Sequence, residues 1–277
     1  MSRNFDPRIT PRLIHEGDFY DIEDPRAQKE FLLRYAVLAP SGHNTQPWSF
    51  RITADGIEVY ADLTRRLPVA DPADRELLMS IGAAVTNLRV AAARFGFESC
   101  VLYQPSDDPA LPVALVSLTE TCNPDEGLRG LFPSIIRRHT NRQEFEKREI
   151  DPDALDRLCE IVEDTEIARF VPPHERTRIA ELVEQADRRL MSDEAWRREL
   201  SDWVRPNDSD EGDGMSGDAF GIPGPLSSFA PWLVRSFDIG DSRGRVDRQL
   251  TQDAAGLIVI SGDDDRTALL RAGVLLL

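Results

Sequence analysis

Apolar residues recur at helical spacing over residues 25–38, where Phe31, Leu32, Tyr35 and Leu38 share one face and Asp24-Pro25 supplies an N-cap and first-turn pair. The period then shortens. Residues 49–52 and 57–61 flank Ala54-Asp55-Gly56 and predict a β-hairpin. A long helix follows over about 74–95, with Leu77, Leu78, Ile81, Leu88 and Ala92 on one face and Gly96 as its stop. Its small-residue centre, Gly82-Ala83-Ala84, suits the close approach of another helix. Two strands are expected around 100–103 and 113–118.

In the later half, Leu128, Leu131, Phe132 and Ile135 mark a short helix, Asp151-Pro152 starts another that runs through Val162, and 168–171 reads as a short strand. Residues 174–204 have a helical pattern throughout, and Trp196 and Trp203 within it read as core anchors rather than a cofactor box. Residues 205–226 are rich in Gly, Pro and acid without periodicity, which predicts a flexible, lid-like segment.

A short motif occurs twice. Asp74-Arg75-x-x-Leu78 leads to Gly82, and Asp265-Arg266-x-x-Leu269 leads to Gly273 at the same offset. If the second copy matched the first helix, it would run about nine residues beyond Leu277. The apolar ending Gly273-Val274-Leu275-Leu276-Leu277 has no cap, so a chain truncated relative to longer relatives is expected.

With 277 residues, 41% of them hydrophobic and 30% charged, the chain has the composition of a globular protein able to bury a core. Met1 to Asp6 contains no apolar h-region and no run is read as a membrane span, so the cytoplasm is the expected compartment. The net charge of −16 is built with only two lysines, Lys29 and Lys147. Such an acidic surface fits a high-salt, halophilic cytoplasm, while arginine in place of lysine also follows from genomic base composition. Nucleic acid and anionic membranes are poor partners for it. Cys100, Cys122 and Cys159 have neither disulfide nor zinc spacing and are expected as small buried packing residues; no metal site is expected.

Two stretches carry candidate chemistry. Residues 40–48 read Pro-Ser-Gly-His-Asn-Thr-Gln-Pro-Trp: Gly42 admits close approach of a ring, Ser41, Asn44, Thr45 and Gln46 offer donors and acceptors, and Pro47-Trp48 stiffens the exit. An ordinary helix-to-strand loop has the same residue types. Nearly a hundred residues on, Arg137-Arg138-His139-Thr140-Asn141-Arg142 concentrates guanidinium groups about sufficient for one phosphate. If that stretch begins a helix, Arg138 and Arg142 fall on one side with the Thr140 hydroxyl between them. Salt bridges to Glu144, Glu146 or Glu149 are the alternative use of these arginines.

The 39–50 window resembles the Pro-Ser-x-x-Asn-x-Gln-Pro-Trp loop of FMN-dependent nitroreductases, and 138–142 resembles their Arg-His-Ser-x-Lys/Arg phosphate motif. In that family the arginine motif comes first and the flavin lies at a homodimer interface. Here the order is reversed, as in the Acg-type group, which also carries segments like Gly221-Ile222-Pro223-Gly224-Pro225. The resemblance implies an α+β, nitroreductase-like fold in which two fused lobes, 1–136 and 137–277, imitate the family homodimer, the second being incomplete.

It further implies FMN as cofactor and NAD(P)H as a substrate that comes and goes, with electrons passed to a nitroaromatic, quinone or similar small-molecule acceptor. Arg138, Thr140 and Arg142 would bind the phosphate. Pro40, Ser41, Gly42, Asn44 and Gln46 would contact the ribityl chain or isoalloxazine ring. No protein nucleophile or catalytic side chain is assigned, since hydride chemistry belongs to the flavin. Ser41 lacks a G-x-S-x-G setting, and no G-x-G-x-x-G follows a strand. A flavin-sequestering protein without turnover is the alternative, and the assembly is expected to be a pseudo-dimeric monomer or a homodimer.

Overall fold

The computed structural model describes residues 13–104, 106, 108–142, 144–146, 149–164, 168–263 and 265–277. Met1 to Asp6 and Lys147, used in the reading above, lie outside the described residues. In chain order the elements are α1 (Pro25–Ala36), β1 (Trp48–Ile52), β2 (Gly56–Ala61), α2 (Arg75–Arg94), β3 (Phe97–Tyr103), β4 (Ala114–Glu120) and α3 (Glu126–Arg137). Then come α4 (Pro152–Asp164), β5 (Ala168–Phe170), α5 (Pro173–Ser192), α6 (Glu194–Asp202), β6 (Val204–Arg205) and β7 (Met215–Ser216). The last are α7 (Ala230–Ser236), α8 (Gly240–Asp253), β8 (Ile258–Ile260) and α9 (Arg266–Leu276). This is a mixed α/β protein. Contacts divide it into two compact units, one of residues 1–140, 208–215 and 264–277, the other of 141–207 and 216–263.

In the first unit, α1 starts where the sequence predicts, because the Asp24 carboxylate accepts the N–H groups of Arg26 and Ala27 ahead of a proline that needs no acceptor. The hairpin forms with Phe50 opposite Val59, and the antiparallel sheet has the order β1-β2-β4-β3. Lys29 is buried and donates its ammonium to the Thr53 carbonyl at 2.9 Å, tying α1 to the hairpin turn. Rings of Phe19, Phe31, Tyr35, Phe95 and Phe132 meet at the centre of the core, Phe19 and Phe95 at 4.5 Å between centroids. Gly96 ends the α2 turn with φ of 84°.

Helix α2 is long and apolar enough to cross a membrane by length and composition, a property shared by buried core helices; 83% of its apolar window is buried. Much of its cover is α9. The repeated motif explains that contact: a Cβ on Gly82 would lie 2.0 Å from the Leu270 carbonyl oxygen, and one on Gly273 would lie 1.9 Å from that of Met79. Each helix thus lays a glycine on the other's backbone, at equivalent places in the two copies. The Asp265 carboxylate caps α9 through the Ala268 N–H. At the start of α2 the Asp74 side chain makes no cap, and the buried Asp71 carboxylate takes the N–H groups of Arg75 and Leu77 at 2.8 and 2.9 Å.

In the second unit α5 packs along α8, where Gly244 lets the helices approach and Glu184 pairs with Arg188 and Arg248, both at 2.8 Å. Strands β5 and β8 pair antiparallel with Arg169 opposite Val259. The long helical pattern over 174–204 is broken at Asp193, which adopts an extended backbone and caps α6 through the Ala195 N–H. Trp196 and Trp203 are only partly buried, and Leu200 on the same helix fills the core position instead. The cysteines also differ from expectation: Cys100 and Cys122 are exposed and Cys159 is intermediate. Cys100 falls on the outward phase of β3, where burial alternates along the strand.

Candidate functional site

The loop between α1 and β1 is held in an unusual backbone. His43, Asn44 and Gln46 have φ of 49°, 54° and 52°, left-handed values that each cost a non-glycine residue about 1–2 kcal/mol. Local hydrogen bonds hold the shape: the Ser41 hydroxyl accepts from the Gln46 N–H at 2.9 Å, and the Ser41 carbonyl accepts from the Asn44 N–H at 2.9 Å. Thr45, Pro47 and Trp48 are buried beneath it, while Pro40, Ser41, Gly42, Asn44 and Gln46 are half-buried.

A segment distant in sequence lies across this loop. The Asn44 amide donates to the Gly214 carbonyl at 2.9 Å and the Gln46 amide to the Gly212 carbonyl at 2.8 Å, while the Gly214 N–H returns to the Asn44 carbonyl at 3.0 Å. Arg65 completes the attachment, giving its Nε–H to the Thr45 carbonyl and pairing its Nη2 with Asp213. The span expected to be lid-like is therefore pinned at residues 212–214. Further on it forms two short 3₁₀ turns, Gly217–Phe220 and Gly224–Phe229.

Gly42 faces a carboxylate. A Cβ there would lie 2.7 Å from Oε2 of Glu76 and 3.3 Å from Leu67, so the space a side chain would take is used by Glu76. Among the described residues the Glu76 carboxylate has no hydrogen-bond or ion-pair partner. Glu76 is exposed as a residue, and the protein atoms that crowd water from its carboxyl, and then the Asp71 charge, push its pKa above the usual carboxylate value.

Arg138 is brought to the same unit and the same corner. It caps the end of α3, and its Nη2 donates to the carbonyl of Leu38, two residues before Pro40, at 3.3 Å. Its Nε is buried and meets no hydrogen-bond acceptor among the described residues. It makes no ion pair among them either, and burial pulls its pKa below the ordinary arginine value. The stretch after Arg137 is not helical, with Arg138 itself extended, so spacing of four does not set Arg138 and Arg142 on one helix face. Thr140 is exposed in the first unit. Arg142 is an exposed residue of the second, where partial desolvation of its guanidinium and then the Arg243 charge lower its pKa, against the opposing Asp247.

Sequence reasoning missed Arg65, Asp71, Asp213 and Glu76. An acid in the first turn of a helix is ordinary, so Glu76 gave no signal, and Asp213 sits in a run of acids and glycines. A mixed α/β chain with a strained, polar loop and a guanidinium brought to its base is the class these features define.

No family model matches the sequence. The chain is 29% identical over 258 residues to Putative NAD(P)H nitroreductase Rv3131 of Mycobacterium tuberculosis, covering 87% of this chain and 69% of that protein. It is 25% identical over 246 residues to Putative NAD(P)H nitroreductase acg of the same organism, covering 88% and 73%. A third relative there, Uncharacterized protein Rv3127, is 25% identical over 269 residues, with the same 88% and 73%. These relatives support assignment of the chain to the nitroreductase family.

Proposed function

We propose that the protein is an FMN-dependent oxidoreductase that passes electrons from NAD(P)H to a nitroaromatic, quinone or similar electron-poor acceptor. The observation that carries this reading is Arg138, a guanidinium anchored beside the 40–48 loop with one buried N–H that meets no acceptor among the described residues. An anionic oxygen there would satisfy that donor and offset the burial of the charge. The names of the relatives at 29% and 25% identity point the same way.

The remaining residues fit the group. Arg138, with Thr140 of the same unit, would hold the phosphate. The Asn44 and Gln46 amide nitrogens are engaged by glycine carbonyls, which leaves their side-chain oxygens as acceptors for ribityl hydroxyls or a ring N–H. Pro40, Ser41 and Gly42 would form the wall against which the ring lies. When bound, the flavin supplies the hydride chemistry, accepting from NAD(P)H and delivering to the acceptor. The protein's own part is to fix the ring and exclude water from it, and the pinned 212–214 segment gives the loop the rigidity that this needs.

Anaerobic mixing of the FMN-loaded protein with NADH or NADPH tests the reading. Bleaching of the flavin absorbance is expected, followed by recovery when a quinone is added. Bound flavin that stays oxidised would instead indicate sequestration without turnover.

A further inference from the structure

The carboxyl of Glu76 occupies the place that a side chain at position 42 would need, and the residue is otherwise exposed to solvent. It is not required as a cap, because Asp71 already satisfies the first N–H groups of α2. A helix-start acid without a hydrogen-bond or ion-pair partner among the described residues, pressed against the backbone of the candidate ring-binding loop, is placed to sense whatever lies on that loop.

We infer that Glu76 is the specificity-determining acid of the 40–48 loop, coupling the binding of an uncharged ring beside Gly42 to the uptake of one proton. The inference rests on the reading of the loop as a flavin site. A ring laid there removes water from the open side of the carboxyl and penalises its ionised form further, so a proton from solvent converts carboxylate to carboxylic acid as the ring binds. Binding therefore tightens as pH falls through the carboxyl's titration. An acceptor carrying a negative charge on its ring meets the ionised carboxylate and is disfavoured.

The elements packed against this part of the first unit carry other charged groups. The segment entering α2 carries Asp71 and the Arg66–Asp74 pair, α2 itself carries Arg75, the loop carries His43, α3 ends in Arg138, and α9 carries Arg266 and Arg271. Asp71 is the one whose charge raises the Glu76 pKa.

Calorimetric titration of the full chain with FMN, in buffers of different ionisation enthalpy between about pH 5 and pH 8, reads the proton uptake directly. The FMN phosphate titrates in the same range, so the wild type is compared with Glu76→Gln, in which the phosphate contributes equally. The expected difference is up to one proton per FMN, with wild-type affinity falling about tenfold more than that of Glu76→Gln as pH rises. Glu76→Asp should retain a displaced linkage, and circular dichroism checks that each variant is folded. Equal proton uptake by wild type and Glu76→Gln overturns the role of Glu76 while leaving the flavin site standing. A wild type that binds no FMN overturns both.

Discussion

Replacing Arg138 by alanine should weaken FMN binding by about 10- to 100-fold, read by quenching of flavin fluorescence. The magnitude follows from the loss of charge-assisted hydrogen bonds to a phosphate, each contributing about 1.5–3 kcal/mol. The guanidinium is held by the Leu38 carbonyl, while its Nε is buried with no acceptor among the described residues. That arrangement stores an unsatisfied donor that an anion can fill. Riboflavin, which has no phosphate, should bind wild type and Arg138→Ala with similar affinity. A reduced affinity for both ligands would mean that the substitution damages the loop through Leu38 rather than the phosphate contact. Arg138→Lys should recover only part of the affinity, because an ammonium cannot span two oxygens as a planar guanidinium does.

Gly82→Leu should destabilise the first unit by at least about 3 kcal/mol, lowering the melting temperature by roughly 6 °C or more. The clash is with backbone: the new Cβ would sit 2.0 Å from the Leu270 carbonyl oxygen, which no side-chain rotation relieves. Gly273→Leu should behave alike, since its Cβ would meet the Met79 carbonyl oxygen at 1.9 Å. The contrast is Gly130→Ala on α3, where nothing lies within 4 Å of an added Cβ. That change should be neutral or stabilise by about 0.4–1 kcal/mol through helix propensity and reduced unfolded-state entropy. A melting temperature for Gly82→Leu equal to wild type would remove the α2–α9 crossing from the account of the fold.

Local rules made much of the first unit legible. Asp24-Pro25 starts α1, Gly96 stops α2, and the hairpin forms around residues 54–56 because each of these signals acts over a few residues. The small-residue centre of α2 announced a helix partner, and α9 is that partner. What stayed hidden depends on distant chain. Nothing in the residue types at His43, Asn44 and Gln46 dictates left-handed backbone, which the packed loop imposes. The return of 212–214 across the loop rests on carbonyl acceptors, which every residue carries and no sequence advertises. Asp193 is similarly ambiguous, since an aspartate within a periodic stretch serves equally as a surface residue or as the cap that splits it.

The candidate site was legible by type and only in part by arrangement. The sequence assigned Gly42 to the approach of a ring but gave no sign of the Glu76 carboxylate that lies on its Cβ side. The helix that would have set Arg138 and Arg142 on one side ends at Arg137, and Arg142 belongs to the second unit. Six neighbouring residues cannot report which of their side chains will be turned inward. Burial of Arg138 is set by the end of α3 and by Leu38, a hundred positions earlier in the chain.

The most direct measurement is a crystal structure of the chain grown with FMN. The account predicts a phosphate within hydrogen-bond reach of the Arg138 guanidinium and an isoalloxazine ring against residues 40–46. Flavin density elsewhere on the protein, or crystals from an FMN-saturated solution in which Arg138 remains without an anion, would contradict it.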